Sequence, residues 1–195
     1  MNAIILAGGK SSRFGSDKAL YKLEDKPMLL NIIEKLNPLF NKIYVVGNKK
    51  QHGLKDVEFL TDEIPNKGPL GGLYTGLKAS NSNFNYLQAC DMPFVCKDYL
   101  EYIQNYIHEN KGYDAYIPER NGYLEPFVGI YRKKIQAEAL DLINENKLNF
   151  DNLFDEINIK IIKEEEIKRI GDLDRIFFNI NKKEDLNRYN KFRAK

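Results

Sequence analysis

The chain has 195 residues, 43% of them hydrophobic, and a formal net charge of +2 from 30 basic and 28 acidic side chains. That size suits one domain, or one domain with a small appendage, around a substantial core. The balanced charge argues against a nucleic-acid partner.

No apolar stretch approaches the roughly 20 residues that span a bilayer. The apolar run at the N-terminus is short and has no basic segment ahead of it, so a secretory signal is not expected. A cytoplasmic protein without membrane contact is the expectation. Only Cys90 and Cys96 are present, too few for a disulfide framework, and with His52 and His108 they show no zinc-ligand spacing.

Ala3–Ala7 is an apolar run and the first expected strand. It breaks at Gly8-Gly9, and Lys10-Ser11-Ser12-Arg13-Phe14-Gly15-Ser16-Asp17-Lys18 follows. Glycines let backbone N–H groups approach an anion, and Arg13 and Lys18 can neutralise phosphate oxygens, Arg as a planar fork and Lys as a point charge. This loop is neither a Walker loop nor a dinucleotide fingerprint. The position five before Gly9 is Ile4, and Gly8, Gly9 and Gly15 do not fit G-x-G-x-x-G.

Met28, Leu29, Ile32, Ile33 and Leu36 fall on one helical face behind Pro27. Ile43–Val46 and Val57–Leu60 are expected strands, ending at Gly47-Asn48 and at Thr61-Asp62. A helix is expected over 72–79, opened by the loop Gly68-Pro69-Leu70-Gly71-Gly72. Tyr86–Cys90 is the next strand, ending at Asp91, and Leu100, Ile103 and Ile107 mark the helix after it. Such alternation predicts parallel strands with right-handed crossovers, and ligands in such sheets bind outside the carboxyl ends of the strands.

Beyond Lys111 the pattern becomes mixed. Strands are expected at 113–117 and 127–131 around a turn at Arg120-Asn121-Gly122, a helix at 135–142 and strands at 159–162 and 176–178. The charged run 163–169 reads as an exposed loop or helix end. Asn181 reads as an N-cap with Glu184 three residues on. Asn179 and Asn181, two apart, would point the same way from a strand.

Leu6–Leu20, LAGGKSSRFGSDKAL, resembles the signature L-A-G-G-x-S-x-R-M-G-x-D-K-A-L of molybdenum cofactor guanylyltransferases, with Phe14 in place of Met. Gly68-Pro69-Leu70-Gly71-Gly72, Asp91-Met92-Pro93-Phe94, Glu125-Pro126-Phe127 and Asn179-Ile180-Asn181 with Glu184-Asp185-Leu186 match further family segments in the same order. Lys182-Lys183 stands where Thr-Pro is usual.

The resemblance implies a three-layer α/β/α Rossmann-like nucleotidyltransferase fold with a mostly parallel mixed sheet. In that single domain, residues 1–110 would be the nucleotide-binding half and 111–195 the acceptor-binding half. It also implies transfer of GMP from GTP to the phosphate of molybdenum-molybdopterin, with release of pyrophosphate.

Arg13, Lys18 and Asp91 would be catalytic, Asp91 carrying Mg²⁺. Leu6, Ala7, Gly8, Gly9, Lys18, Asn48, Asp62, Gly68, Gly71 and Asp91 would bind GTP. Glu125, Asn179 and Asn181 would face the acceptor. Transient contact with cofactor-insertion proteins or apo-molybdoenzymes is expected of a monomer or weak oligomer. The rival readings are a cytidylyltransferase or sugar-phosphate nucleotidyltransferase of the same superfamily, and a non-catalytic nucleotide-binding module.

Overall fold

The computed structural model of the protein describes residues 1–8, 21–23, 25–47 and 56–193. The strands are β1 (Asn2–Leu6), β2 (Lys22–Leu23), β3 (Lys26–Pro27), β4 (Ile43–Val46), β5 (Val57–Leu60), β6 (Phe84–Ala89), β7 (Ala115–Arg120), β8 (Tyr123–Leu124), β9 (Ile130–Arg132) and β10 (Ile159–Ile162). The helices are α1 (Met28–Leu36), α2 (Gly68–Ala79), α3 (Lys97–Glu109), α4 (Gln136–Asn144), α5 (Phe150–Glu156), α6 (Glu164–Lys168), α7 (Leu173–Ile176) and α8 (Asp185–Arg193).

The main sheet runs β10-β7-β9-β6-β1-β4-β5, with β8 paired to β7. β1 pairs in parallel with both β4 and β6, and β4 with β5. β9 is antiparallel to β6 and β7, so β7 and its parallel partner β10 run the same way as β6. This is a mostly parallel mixed sheet.

Its central strands are apolar on both faces because both are covered. Alternate residues of β1 feed two cores. Ala3 and Ile5 pack with Met28, Ile32 and Leu36 of α1 and Leu100 and Ile103 of α3. Ile4 and Leu6 pack with Leu70, Leu73 and Leu77 of α2, in a core that also takes Leu142 of α4 and Leu153 of α5. The result is the expected three layers.

The chain builds β1, β4 and β5 to one side, then returns through α2 to place β6 on the other side of β1. The reversal lies between β1 and β6, and in open α/β sheets the ligand crevice forms at that point.

The second half departs from expectation in several places. Asn121 (φ 51°) and Gly122 (φ 78°) form a two-residue turn that pairs the end of β7 with β8. The start of β7 pairs with Ile130 and Tyr131 of β9, so the expected strand at 127–131 is shortened but does lie antiparallel to β7. Pro126–Val128 is instead a 3₁₀ turn, and β9 begins only at Ile130. No strand covers 176–178. Asp172 accepts a hydrogen bond from the Asp174 N–H and caps the short α7, while Phe178 stacks into an aromatic cluster with Phe94 and Phe192.

Asn179 and Asn181 therefore lie in irregular chain, not on a strand. Asp185, not Glu184, returns to cap this segment, accepting from the N–H groups of Asn181 and Lys182. The charged run 163–169 contains α6, and α2 starts four residues earlier than expected, at Gly68.

The 3₁₀ turn is held from below. The buried Tyr99 hydroxyl of α3 donates to the Val128 carbonyl at 2.7 Å. Tyr99→Phe leaves that buried carbonyl unpaired and should lower stability by about 1–3 kcal/mol in urea unfolding. An unchanged midpoint would show that the bond contributes nothing.

Candidate active site

Three hydrogen bonds carry the parallel ladders past the ends of the strands. Ala7 N–H donates to Val46 O (2.8 Å), Gly47 N–H to Leu60 O (2.9 Å) and Cys90 N–H to Leu6 O (3.0 Å). They bring Gly8, Gly47, Asp62 and Asp91 to one edge of the sheet, as the strand ends predicted. Gly47 is required by close approach: a Cβ there would sit 2.9 Å from the Ala7 carbonyl carbon and 3.0 Å from Gly8 N.

Asp62 lies between two backbone segments. One carboxylate oxygen is 3.6 Å from where a Cβ on Gly8 would stand, and the other is 3.8 Å from the same point on Gly72 of α2. The group is half-buried and has no hydrogen-bond or ion-pair partner among the described residues. Burial raises its pKa above the ordinary 3.8. Gly68 takes a left-handed φ of 62° at the start of α2, with Pro69 following in the first turn and Gly71 buried behind it. The Gly68–Gly72 segment is thus the first turn of the helix itself, aimed at the same edge.

Asp91 is half-buried in a turn whose backbone is pinned on three sides. Met92 N–H donates to Ala89 O at 3.1 Å, and Ile180 N–H donates to Asp91 O at 2.9 Å. The fully buried Gln88 donates from Nε2 to Met92 O at 2.8 Å and accepts from the Tyr86 hydroxyl at 2.6 Å. Gln88 is a positioning residue that sequence reasoning missed. Its signal was a polar side chain between the apolar Leu87 and Ala89 of a buried strand. Cys90 is buried.

The bond from Ile180 to Asp91 draws Asn179 and Asn181 to the same turn. Asn179 Oδ1 is buried with no hydrogen-bond partner among the described residues, while Asn181 is exposed. Glu125, half-buried ahead of the 3₁₀ turn, has its pKa raised by burial, an effect that the Arg120 charge partly opposes. Gly9, Arg13, Lys18 and Asn48 lie outside the described residues. Among the described residues no group of three or more His, Cys, Asp or Glu could hold a metal ion. No helix among them is long and apolar enough to cross a membrane.

Residues 3–156 match the family model of the MobA-like NTP transferase domain. A protein of Peptoclostridium acidaminophilum described as a probable molybdenum cofactor guanylyltransferase is 34% identical over 193 residues, covering 96% of this chain and 87% of that one. The chain belongs to the molybdenum cofactor guanylyltransferase family.

A second relative, the molybdenum cofactor guanylyltransferase of Syntrophotalea carbinolica, is 32% identical over 190 residues, with 96% and 90% of the two chains covered. The crystal structure of molybdopterin-guanine dinucleotide biosynthesis protein A from Archaeoglobus fulgidus superposes with a TM-score of 0.85 at 25% identity, over 100% and 99% of the two chains. A cytidylyltransferase from Francisella tularensis shares the fold, with a TM-score of 0.71 at 16% identity over 97% and 98%. As a member of the guanylyltransferase family the chain is a nucleotidyltransferase enzyme.

The buried Asp62 has a pH signature. A carboxyl whose folded pKa is raised holds its proton more tightly when folded, so it costs stability once pH climbs past 3.8 through the raised value. Without ligand, Asp62→Asn should therefore melt alongside the wild type at pH 3 and above it at pH 7. A variant that melts lower at pH 7 would show that the carboxylate is stabilised as an anion.

Proposed function

We propose that this enzyme transfers GMP from GTP to the terminal phosphate of molybdenum-molybdopterin, releasing pyrophosphate. The observation that carries the reading is the placement of Gly8 and Asp91 just beyond the paired ends of β1 and β6, at the reversal between those strands. It stands in a chain of the guanylyltransferase family whose acceptor-side Asn179 is tied to the same turn through Ile180.

Backbone N–H groups from Gly8 and Gly9, with Arg13 and Lys18, would hold the triphosphate, while Leu6 and Ala7, tied into the sheet, would flank the nucleotide and fix that turn. Asn48, which follows Gly47 in the sequence, would complete that side. Asp62 and the Gly68–Gly71 turn would hold the nucleoside, the Asp62 carboxylate accepting from donors on the base or ribose. Residues 1–110 would thus supply the nucleotide side and 111–195 the acceptor side of one domain.

The donor set fits Mg²⁺. This ion takes only one or two protein carboxylates and fills its octahedron with phosphate and water oxygens. Asp91 supplies the carboxylate, and the unpaired buried oxygen of Asn179 lies on the segment bonded to the Asp91 carbonyl. Asp91 would hold the Mg²⁺, which when bound would supply positive charge against the charge developing on the phosphates.

The acceptor phosphate is already an anion, so no side chain need abstract a proton. What remains for the chain is positioning and charge stabilisation: the attacking oxygen in line with the α-phosphorus, and the pyrophosphate held as it leaves. Glu125, Asn179 and Asn181 would orient the acceptor, the amides both donating and accepting.

Incubation with GTP, molybdenum-molybdopterin and Mg²⁺ should release pyrophosphate and yield the guanine dinucleotide. Asp91→Ala should cut turnover by at least ~100-fold with an intact circular dichroism spectrum. Near-native turnover would remove Asp91 from the metal. Asn181→Ala should raise the KM for the acceptor more than that for GTP, and equal changes would take it out of the acceptor site.

A further inference from the structure

At the carboxyl ends of β7 and β10 lies a cavity of about 340 Å³ whose wall includes Arg120, Asn121, Glu164, Lys168 and Asp174. Its residues come from the β7–β8 turn, α6 and α7, and none was assigned a role by the sequence reasoning above. We infer that it is the subsite for the pterin ring system of the acceptor, with Arg120 and Asp174 reading the pterin edge. This inference rests on the guanylyl-transfer reading.

Placement is the first argument. Arg120 ends β7, which runs parallel to β6, so the cavity opens on the same sheet edge as Asp91. Only β9 separates the two strands, and two strand spacings amount to about 10 Å. The chain makes the same connection a second way. The Arg120 guanidinium lies 5.5 Å from the centroid of the Phe177 ring. Ile180, three residues on, donates to the Asp91 carbonyl, and three residues reach at most about 11 Å. Molybdopterin carries its phosphate on a short arm from the fused rings, so a phosphate at Asp91 would bring the rings toward this cavity, past Asn179.

Chemistry is the second argument. A pterin presents an N–H donor beside a carbonyl acceptor, flanked by an amino group. The Arg120–Asp174 pair offers the complement side by side. Arg120 Nη2 meets Asp174 Oδ1 at 2.5 Å, leaving other guanidinium N–H groups to donate and the second carboxylate oxygen to accept. The Arg120 side chain is only 24% exposed, so the fork is held rather than free in solvent.

The turn beside it is also fixed, because Asn121 N–H donates to Glu164 Oε2 at 2.6 Å. Lys168 has no ion-pair partner among the described residues and brings a second cation to the wall. The planar guanidinium can stack on a flat heterocycle as it now lies on Phe177.

The test is steady-state kinetics of the full chain with GTP and molybdenum-molybdopterin, beside fluorescence titration with 6-hydroxymethylpterin. Arg120→Ala and Asp174→Asn should each raise the acceptor KM at least tenfold and weaken the free pterin similarly, with the KM for GTP unchanged. Arg120→Lys should recover only part of the loss, because an ammonium lacks the fork.

Circular dichroism and melting of each variant separate misfolding from lost recognition, and Lys168→Ala provides a second wall substitution outside the ion pair. Unchanged acceptor KM in folded Arg120 and Asp174 variants, with wild type forming the dinucleotide, would overturn the subsite and leave the functional reading standing. Wild type that binds GTP but never guanylylates molybdopterin would overturn the functional reading and the subsite with it.

Discussion

The site depends on the parallel pairing of β1 with β6. The Cys90 N–H to Leu6 O bond extends that pairing past the last strand residue and sets the Asp91 turn beside the Gly8 turn. The chain reverses its winding there, the arrangement at which open α/β sheets form their ligand crevice. Other features of the edge act on that crevice. Gly47 lets β4 approach the Ala7–Gly8 backbone, and Asp62 reaches in between Gly8 and α2.

Rigidity is distributed unevenly around it. The Asp91 turn is overdetermined by Gln88, Ala89 and Ile180, and the buried Tyr86–Gln88 pair is satisfied at both polar ends. A buried polar network is favourable only when its members are paired, and here the pairing fixes the backbone of the Asp91 turn. Asp62 and Asn179 are the opposite case. The half-buried Asp62 carboxylate and the buried Asn179 Oδ1 have no hydrogen-bond partner among the described residues, a cost that a ligand donor or cation would offset.

The first half of the fold was legible because its signals were local. β4, β5 and α1 coincide with the apolar runs and the helical face that announce them, and the strand-end positions fall on one edge. The second half was less so because tertiary packing outweighed local preference. Phe177 and Phe178 look like strand residues, yet Asp172 caps a helical turn ahead of them and the aromatic cluster takes Phe178. The Asn121-Gly122 turn signalled a hairpin, and the run beyond Pro126 does pair with the start of β7, but the end of β7 pairs first with the unexpected two-residue β8, and a 3₁₀ turn delays β9 to Ile130. Helix α5 went unread because seven residues give the helical period little room to show.

For the site, motif order and strand ends pointed to the Gly8, Asp62 and Asp91 edge. What they could not convey was Gln88 and the Arg120–Asp174 pair, whose meaning arises only from neighbours distant in the chain.

The most direct test is a crystal structure with a non-hydrolysable GTP analogue and Mn²⁺ in place of Mg²⁺, located by its anomalous signal. The account predicts the metal peak against the Asp91 carboxylate, with the triphosphate along the Gly8 turn. A metal peak away from Asp91, or a triphosphate bound elsewhere on the sheet, would contradict it.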